Sequence, residues 1–85
     1  MDIQCIGFIF RPDKRNHLPQ IRALIQAARR RGIACAVPET ELAQLSDTVA
    51  VSLETTQPDL FLAIGGDGTI LHSAHMAVRR DIPVL

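Results

Sequence analysis

The sequence carries no net charge, because its nine Lys and Arg residues balance its nine Asp and Glu residues. Proteins that bind nucleic acid through the phosphate backbone need an excess of basic residues. The longest basic run, Arg29 to Arg31, lies at the end of a predicted helix, where cations favour the dipole and usually face solvent. We therefore expect no nucleic-acid partner.

Cysteine is also scarce, with two residues in a chain of 85. Cys5 and Cys35 each fall inside a predicted strand, and neither has a second cysteine at metal-ligand spacing. We interpret both as small buried hydrophobic residues in a reducing compartment. His72 and His75 are three residues apart rather than the four usual for zinc on a helix, so we predict no metal site built from side chains.

The chain has no apolar run long enough to cross a bilayer, and its first residues lack the basic segment that opens a signal peptide. We predict a cytoplasmic protein without a membrane partner. Two common nucleotide-binding motifs are absent as well. No glycine-rich loop ends in the Gly-Lys-Ser/Thr of a P-loop, and no Gly-x-Gly-x-x-Gly dinucleotide fingerprint occurs.

A different glycine-dense segment is present at residues 65–69, with the sequence Gly-Gly-Asp-Gly-Thr. It lies between an apolar run, Leu60 to Ile64, and an amphipathic stretch that starts at Ile70. A turn that leaves a buried strand and opens a helix points backbone N–H groups outward, where phosphate can bind. A carboxylate there would repel an anion, so Asp67 is better explained by chemistry, as a proton acceptor or a metal ligand. The alternative is an ordinary Asp-Gly turn with a helix cap.

Three segments of the chain together resemble a known family. They are these five residues, Ile70-Leu71-His72-Ser73-Ala74 and Asp81-Ile82-Pro83-Val84-Leu85, and their sequences are similar to those of the NAD kinase family. Lipid kinases of the diacylglycerol and sphingosine type share the five-residue motif. They usually carry Glu at the position of His72 and an Asn-Gly pair near His75 and Met76. Such a lipid kinase is one alternative function, and a non-enzymatic flavodoxin-like binding module, which would not need Asp67, is another.

The resemblance implies transfer of the γ-phosphoryl group from ATP, or from polyphosphate, to the 2′-hydroxyl of the adenosine ribose of NAD, giving NADP. The divalent metal it implies is Mg²⁺, bridging the donor phosphates. Asp67 would be the catalytic base. The residues that bind NAD and the donor would be Gly65, Gly66, Asp67, Gly68, Thr69 and His72. Full-length members of the family are commonly homo-oligomers.

The sequence of residues 82–85 predicts a buried strand that ends without a turn or a polar cap. We interpret residues 1–85 as the N-terminal domain of an NAD kinase type of protein, incomplete and without the β-rich domain that follows in this family. We therefore expect little or no kinase activity from the isolated chain.

Predicted strands and helices alternate along the chain. The strands are Ile3 to Phe10, Ile33 to Val37 and Leu60 to Ile64, and a helix runs from Leu18 to Arg31. This order predicts an α/β fold with a Rossmann-like or flavodoxin-like parallel sheet and flanking helices. Residues 39–58 fit either a short helix or a strand.

The second predicted helix follows the glycine-rich turn. The side chains expected to pack on the sheet are Ile70, Leu71, Ala74, Ala77 and Val78. His72 would then reach back toward the turn, since helical side chains lean toward the N-terminus. Met76 is interpreted as a packing or surface residue. Lys14, Arg15 and His17 lie in the loop after the first strand, on the same sheet edge. A basic loop there would help to hold phosphates, but an ordinary solvated loop is the favoured interpretation.

Overall fold

The computed structural model describes residues 3–10, 18–45, 48–65 and 67–85, and for Asp67 and Ile70 it describes the backbone alone. Within these ranges the chain forms a four-stranded parallel sheet with helices on both faces. Its strands are β1 (Cys5–Phe10), β2 (Ala34–Val37), β3 (Val51–Ser52) and β4 (Leu60–Ile64), and its helices are α1 (Leu18–Arg30) and α2 (Asp67–Arg80). The predicted α/β fold with a parallel sheet is confirmed.

The strand order is β3-β2-β1-β4. The chain adds β2 and β3 on one side of β1 and then places β4 on the other side, with every pairing parallel. The strand order thus reverses between β1 and β4. In open α/β sheets the crevice beyond the carboxyl ends of the strands at this point is where ligands bind.

Alternation along β1 separates two hydrophobic cores. Phe8 and Phe10 belong to a core on the α1 side of the sheet, and Ile9 belongs to a core on the α2 side. The α1-side core consists of Phe8, Phe10, Ile21, Ile25, Ala28, Cys35, Val37 and Leu45. The α2-side core consists of Ile9, Ala36, Leu53, Phe61 and Ile82, with Met76 and Ala77 packed against it. The fold is therefore a three-layer sandwich.

The helical spacing of the apolar residues Leu18, Ile21, Leu24, Ile25 and Ala28 predicts the buried face of α1, and the prediction is wrong at Leu24, which is 42% exposed. Ile21, Ile25 and Ala28 are buried. The helix ends at Arg30 because Gly32 adopts a φ of +76°, and the N–H of Ile33 donates to the carbonyl of Ala28 at 2.9 Å. The basic run at this end is exposed, as expected.

Strand β1 begins two residues later than predicted because a side chain takes its first N–H groups. The N–H groups of Gln4 and Cys5 donate to the Asp59 carboxylate at 2.8 and 3.0 Å. Asp59 thereby ties the start of β1 to the start of β4. Further along β1, a Cβ on Gly7 would lie 2.8 Å from the ring of Pro58, so the close packing here requires glycine.

The ambiguous segment contains both kinds of structure that its sequence allowed. Two 3₁₀ turns, Glu39–Glu41 and Ala43–Leu45, follow β2. The two-residue strand β3 then pairs with β2. Leu45 anchors the helical part in the α1-side core, and Leu53 anchors the end of the segment in the α2-side core.

Helix α2 departs from its prediction at two points. It begins at Asp67 rather than at Ile70, so the glycine-rich turn is shorter than five residues. The predicted sheet-facing stripe is wrong at Leu71 and Val78, which are 62% and 83% exposed, and at Ala74, which is also exposed. Ala77 packs against the α2-side core as predicted, and the side chain of Ile70 lies outside the described part of the chain. Thr69 and Ser73 are buried instead, because small side chains let the helix approach the sheet closely.

The predicted buried strand at residues 82–85 forms only in part. Ile82 is buried, and Val84 makes a single parallel bridge to Phe61 at the outer side of β4. Val84 and Leu85 are 38% and 75% exposed. Within the described residues, no helix covers the edge of the sheet beyond β4, so the apolar residues after Ile82 remain at the surface.

Both cysteines lie in strands, as predicted. Cys35 is buried in the α1-side core, and burial raises the pKa of its thiol to about 11. Burial also raises the pKa of the half-buried Cys5, with a smaller contribution from the nearby charge of Asp59. The two residues belong to opposite sides of the sheet, which agrees with their interpretation as small hydrophobic residues.

Candidate functional site

The glycine-rich turn starts where β4 ends, at the reversal of strand order. Gly65 has a φ of +140°, a conformation that other residues rarely adopt. A Cβ at Gly65 would also lie 2.7 Å from the Thr69 hydroxyl oxygen. Backbone conformation and space therefore both require glycine at this position. Gly66 lies outside the described residues.

The N-terminus of α2 supplies the backbone donors of the site. Asp67, Gly68 and Thr69 form the first turn of the helix. The N–H groups of a first helical turn have no acceptor within the helix, and the helix dipole adds about half a positive charge there. Because the helix starts earlier than predicted, these N–H groups stand directly at the carboxyl end of β4. The side chain of Asp67 lies outside what the structure describes.

The side chain of Thr69 is buried within the first turn of α2. This residue is the third of α2 rather than the residue before the helix, and it is 2% exposed. Its hydroxyl oxygen is buried and has no hydrogen-bond partner among the described residues. The Ser73 hydroxyl donates to the Thr69 carbonyl at 2.8 Å. A buried hydroxyl without a partner costs free energy, so this atom is poised to accept or donate a bond.

A cavity of about 430 Å³ opens beside Thr69. We call it the α2 cavity. It lies at the carboxyl ends of β1, β2 and β3 and follows α2 along Gly68, Thr69, His72, Met76 and Arg80. Its volume falls within the range of small-molecule sites. His72 is exposed and lines this cavity, which brings it to the same side of the helix as Thr69.

The other walls of the α2 cavity come from the end of β1 and from the segments that follow β2 and β3. Apolar surface is contributed by Ile9, Pro38 and Leu53. Two acidic residues, Glu39 and Glu54, also line it, and both are exposed. The cavity is thus largely apolar, with charged groups where it meets solvent.

Arg80 closes the far end of the α2 cavity, and sequence reasoning missed it. One guanidinium nitrogen, Nη2, donates to the Leu53 carbonyl at 2.8 Å, while the buried Nη1 has no partner among the described residues. The Gln57 side chain donates to the Arg80 carbonyl at 3.2 Å. A basic residue in a last helical turn usually faces solvent, so its position in the sequence gave no signal of this burial.

Other predicted candidates are not brought together. His75 is exposed and does not line the α2 cavity. Lys14, Arg15 and His17 lie outside the described residues. Met76, interpreted as a packing or surface residue, is half-buried against the α2-side core and also lines the α2 cavity.

No group of three His, Cys, Asp or Glu side chains is arranged to hold a metal ion within the described part of the chain. A search of the described residues finds no helix long and apolar enough to cross a membrane.

Comparisons with known proteins agree with this geometry. A family model described as the ATP-NAD kinase N-terminal domain matches residues 6–85. The chain is 30% identical over 82 residues to an NAD kinase of Heliobacterium modesticaldum, covering 94% of this chain and 29% of that protein. It is 32% identical over 84 residues to an NAD kinase of Solibacter usitatus, covering 96% of this chain and 29% of that protein.

A shorter match shows 57% identity over 28 residues to NAD kinase 1 of Prochlorococcus marinus subsp. pastoris, covering 33% of this chain and 9% of that protein. The chain thus spans about 29% of the length of the two relatives that match most of it. The family match covers the sheet, both helices and the glycine-rich turn. The chain belongs to the ATP-NAD kinase N-terminal domain family.

Proposed function

We propose that this chain provides the phosphate-binding half of an NAD kinase active site. The reaction is transfer of the γ-phosphoryl group of a donor to the 2′-hydroxyl of the adenosine ribose of NAD, giving NADP. The relatives that cover most of the chain are named NAD kinases, and the family match supports a phosphotransferase. We place the activity in the cytoplasm.

One observation carries this proposal. The glycine-rich turn lies at the reversal of strand order, and the first turn of α2 opens beside a cavity lined by Thr69, whose buried hydroxyl has no partner among the described residues. Backbone N–H groups at a helix N-terminus bind phosphate, and the absence of side chains at Gly65 and Gly68 lets an anion approach them closely. Phosphoryl transfer depends mainly on such positioning and charge stabilisation.

Asp67 is proposed as the general base. The 2′-oxygen of NAD attacks the γ-phosphorus, the bond from that phosphorus to the β,γ-bridging oxygen breaks, and the hydroxyl proton passes to the Asp67 carboxylate. The first residue of α2 is a suitable place for a carboxylate, since the helix dipole stabilises negative charge there. His72, one turn further along, is proposed to contact the substrate.

Mg²⁺ would join the site on the donor phosphates and neutralise their charge. The described side chains provide no metal cluster of their own, so Asp67 is the protein carboxylate proposed to reach the ion. This arrangement agrees with the way Mg²⁺ is held in many phosphotransferases.

The test is an Asp67→Asn substitution in the natural protein that contains this chain. We expect NADP formation in a coupled assay to fall by roughly 10²- to 10⁴-fold, the usual contribution of general base catalysis. Binding of NAD and ATP should persist, because the backbone donors and the glycines are unchanged.

Asp81→Asn is a matched control. It makes the same chemical change at the other end of α2, where Asp81 is exposed and far from the glycine-rich turn. Its turnover should remain close to that of the natural protein. Equal turnover in the Asp67→Asn and Asp81→Asn proteins would remove Asp67 from the reaction.

A further inference from the structure

We propose that Arg80 is a positioning residue, which holds the last turn of α2 so that the first turn of the helix stays aligned with the glycine-rich turn. This inference rests on the proposed function, because it concerns the geometry of that site. Arg80 does not touch the reacting atoms. It fixes the helix whose N–H groups are proposed to bind phosphate.

Two hydrogen bonds join the end of α2 to the segment between β3 and β4. Nη2 of Arg80 donates to the Leu53 carbonyl at 2.8 Å, and the Gln57 side chain donates to the Arg80 carbonyl at 3.2 Å. We call this pair of bonds the Arg80 clamp. The carbonyls of a last helical turn have no partner within the helix, so the bond from Gln57 also satisfies the end of α2.

The segment that the clamp holds is itself fixed to β1. Leu53 is 4% exposed and belongs to the α2-side core. A Cβ on Gly7 would lie 2.8 Å from Cγ of Pro58 and 2.9 Å from Cδ2 of Leu53, which shows how closely this segment packs on the strand. The N–H of Asp59 donates to the Cys5 carbonyl at 2.9 Å. The clamp therefore ties α2 to a firm support.

The rest of α2 has little apolar burial to hold it in place. Among its described side chains, Thr69 and Ser73 are buried, and both are small and polar. Met76 and Ala77 are only partly buried against the α2-side core. Since the stabilisation from burial grows with the apolar area removed from water, these contacts fix the helix weakly. The direction of α2 then depends on how its two ends are held.

The chain after α2 provides a second attachment, but not one that orients the helix. Ile82 is buried in the α2-side core. Between it and the helix lies Asp81, whose φ of +56° turns the chain away from the helix axis. Ile82 thus holds the chain beyond this turn, whereas the Arg80 clamp acts on the helix itself.

The burial of Arg80 costs free energy that stability alone does not explain. Its Nη1 is buried without a hydrogen-bond partner among the described residues, and the partner of Nη2 is an uncharged carbonyl. Charged groups buried with so few partners usually destabilise a fold. Residues that break such a rule are expected at functional sites. This cost supports a positioning role for Arg80.

A change at the last turn of α2 reaches the first turn because a helix is stiff. The 14 residues of α2 span about 21 Å at 1.5 Å per residue. Ser73 is fully buried midway between Asp67 and Arg80, so a helix that pivots on this contact moves at both ends. Misplacing a reacting group by about 1 Å costs roughly 100-fold in rate. Loss of the clamp should therefore slow the reaction.

The test compares Arg80→Met with Arg79→Met in the natural protein that contains this chain. Both variants keep a long side chain and lose the guanidinium, but Arg79 is exposed and does not line the α2 cavity. The measurements are kcat and KM for NADP formation, well below the melting temperature of each variant. We expect Arg80→Met to lower kcat at least about tenfold and to change either KM by less than about threefold. Arg79→Met should change neither.

Gln57→Ala breaks the other bond of the clamp. Gln57 is exposed and does not line the α2 cavity, so this variant removes no contact with a molecule bound there. We expect kcat to fall by about threefold, since one hydrogen bond of the clamp remains. Gln26→Ala, at an exposed glutamine of α1, is the matched control and should leave kcat unchanged.

Arg80→Lys is the conservative variant that distinguishes positioning from packing. Lysine keeps a charged donor for the Leu53 carbonyl, so its kcat should exceed that of Arg80→Met by at least about threefold. Unchanged kcat in folded Arg80→Met would overturn the inference. A large rise in KM without a fall in kcat would also overturn it, because Arg80 would then contact a substrate. If Arg80→Met unfolds the protein, Gln57→Ala decides.

Backbone amide NMR signals of the ligand-free natural protein separate this inference from the proposed function. Loss of the clamp should shift the signals of Gly65, Gly68 and Thr69 in Arg80→Met and Gln57→Ala, but not in Arg79→Met. If the natural protein forms no NADP, the proposed function fails, and these shifts still support the positioning of α2 by Arg80. Unchanged signals at the glycine-rich turn would overturn the inference whether or not the protein is a kinase.

Discussion

Helices α1 and α2 contain 13 and 14 residues and lie on opposite sides of the same sheet, but they bury different kinds of side chain. Helix α1 buries Ile21, Ile25 and Ala28. Helix α2 buries Thr69 and Ser73 and leaves Leu71 and Val78 exposed. The first helix stabilises the fold through apolar burial, while the second contributes its N-terminus and one face to a cavity. The two helices therefore have different roles although their lengths and their positions beside the sheet are similar.

The largest expected effect on stability lies in α1. Ile25 is 1% exposed, so Ile25→Ala should lower the free energy of unfolding by roughly 2–5 kcal/mol through lost burial and a new cavity. Val78→Ala in α2 should change it by less than about 0.5 kcal/mol, as expected for an exposed site. Urea denaturation followed by circular dichroism measures both. If both variants lost similar free energy of unfolding, the two helices would contribute equally to stability through burial.

The next effect identifies the face of α2 that meets the sheet. Ser73 is fully buried, so Ser73→Leu should overpack the contact and cost roughly 1–3 kcal/mol. Leu71→Ser should cost only about 0.5 kcal/mol, the difference in helix propensity, because Leu71 is exposed. Thermal melts of the two variants rank them. If Leu71→Ser were the more damaging change, the face predicted from apolar periodicity would be the buried one after all.

The smallest effect compares the ends of the helices. Each helix is followed by a residue of positive φ, Gly32 at +76° after α1 and Asp81 at +56° after α2. Gly32→Ala should destabilise by roughly 1–2 kcal/mol, since a side chain disfavours this conformation. Asp81→Gly should stabilise by about 0.5 kcal/mol, because relief of the same strain exceeds the added freedom of the unfolded chain. Chemical denaturation of both variants measures the two effects. Stabilisation by Gly32→Ala, or destabilisation by Asp81→Gly, would contradict this comparison.

Strong local patterns predicted much of the fold. The continuous apolar runs of β1 and β4 and the repeat of α1 gave correct elements, because burial on both faces of a sheet leaves a clear sequence pattern. The end of α1 was placed to within one residue of Arg30, since Gly32 marks it. The glycine-rich turn was also found from its sequence, and its place beyond β4 is confirmed.

Other features depend on contacts between distant parts of the chain. Apolar periodicity in α2 pointed to Leu71 and Val78, because the pattern cannot show that close helix packing favours Thr69 and Ser73. Arg80 reaches the Leu53 carbonyl from 27 residues away, and no local pattern predicts that bond. The α2 cavity was missed for the same reason, since four of its twelve lining residues come from residues 39–58, where the sequence fits two structures.

The central claim is that the first turn of α2, and no part of α1, binds the phosphates of a nucleotide. It is tested most directly by titrating this isotope-labelled chain with Mg²⁺-ATP and following backbone amide signals by NMR. We predict the largest shifts at Gly65, Gly68 and Thr69, with little change at Gln26 and Ala27 on the exposed side of α1. Absence of shifts at the glycine-rich turn, or larger shifts on α1, would contradict the claim.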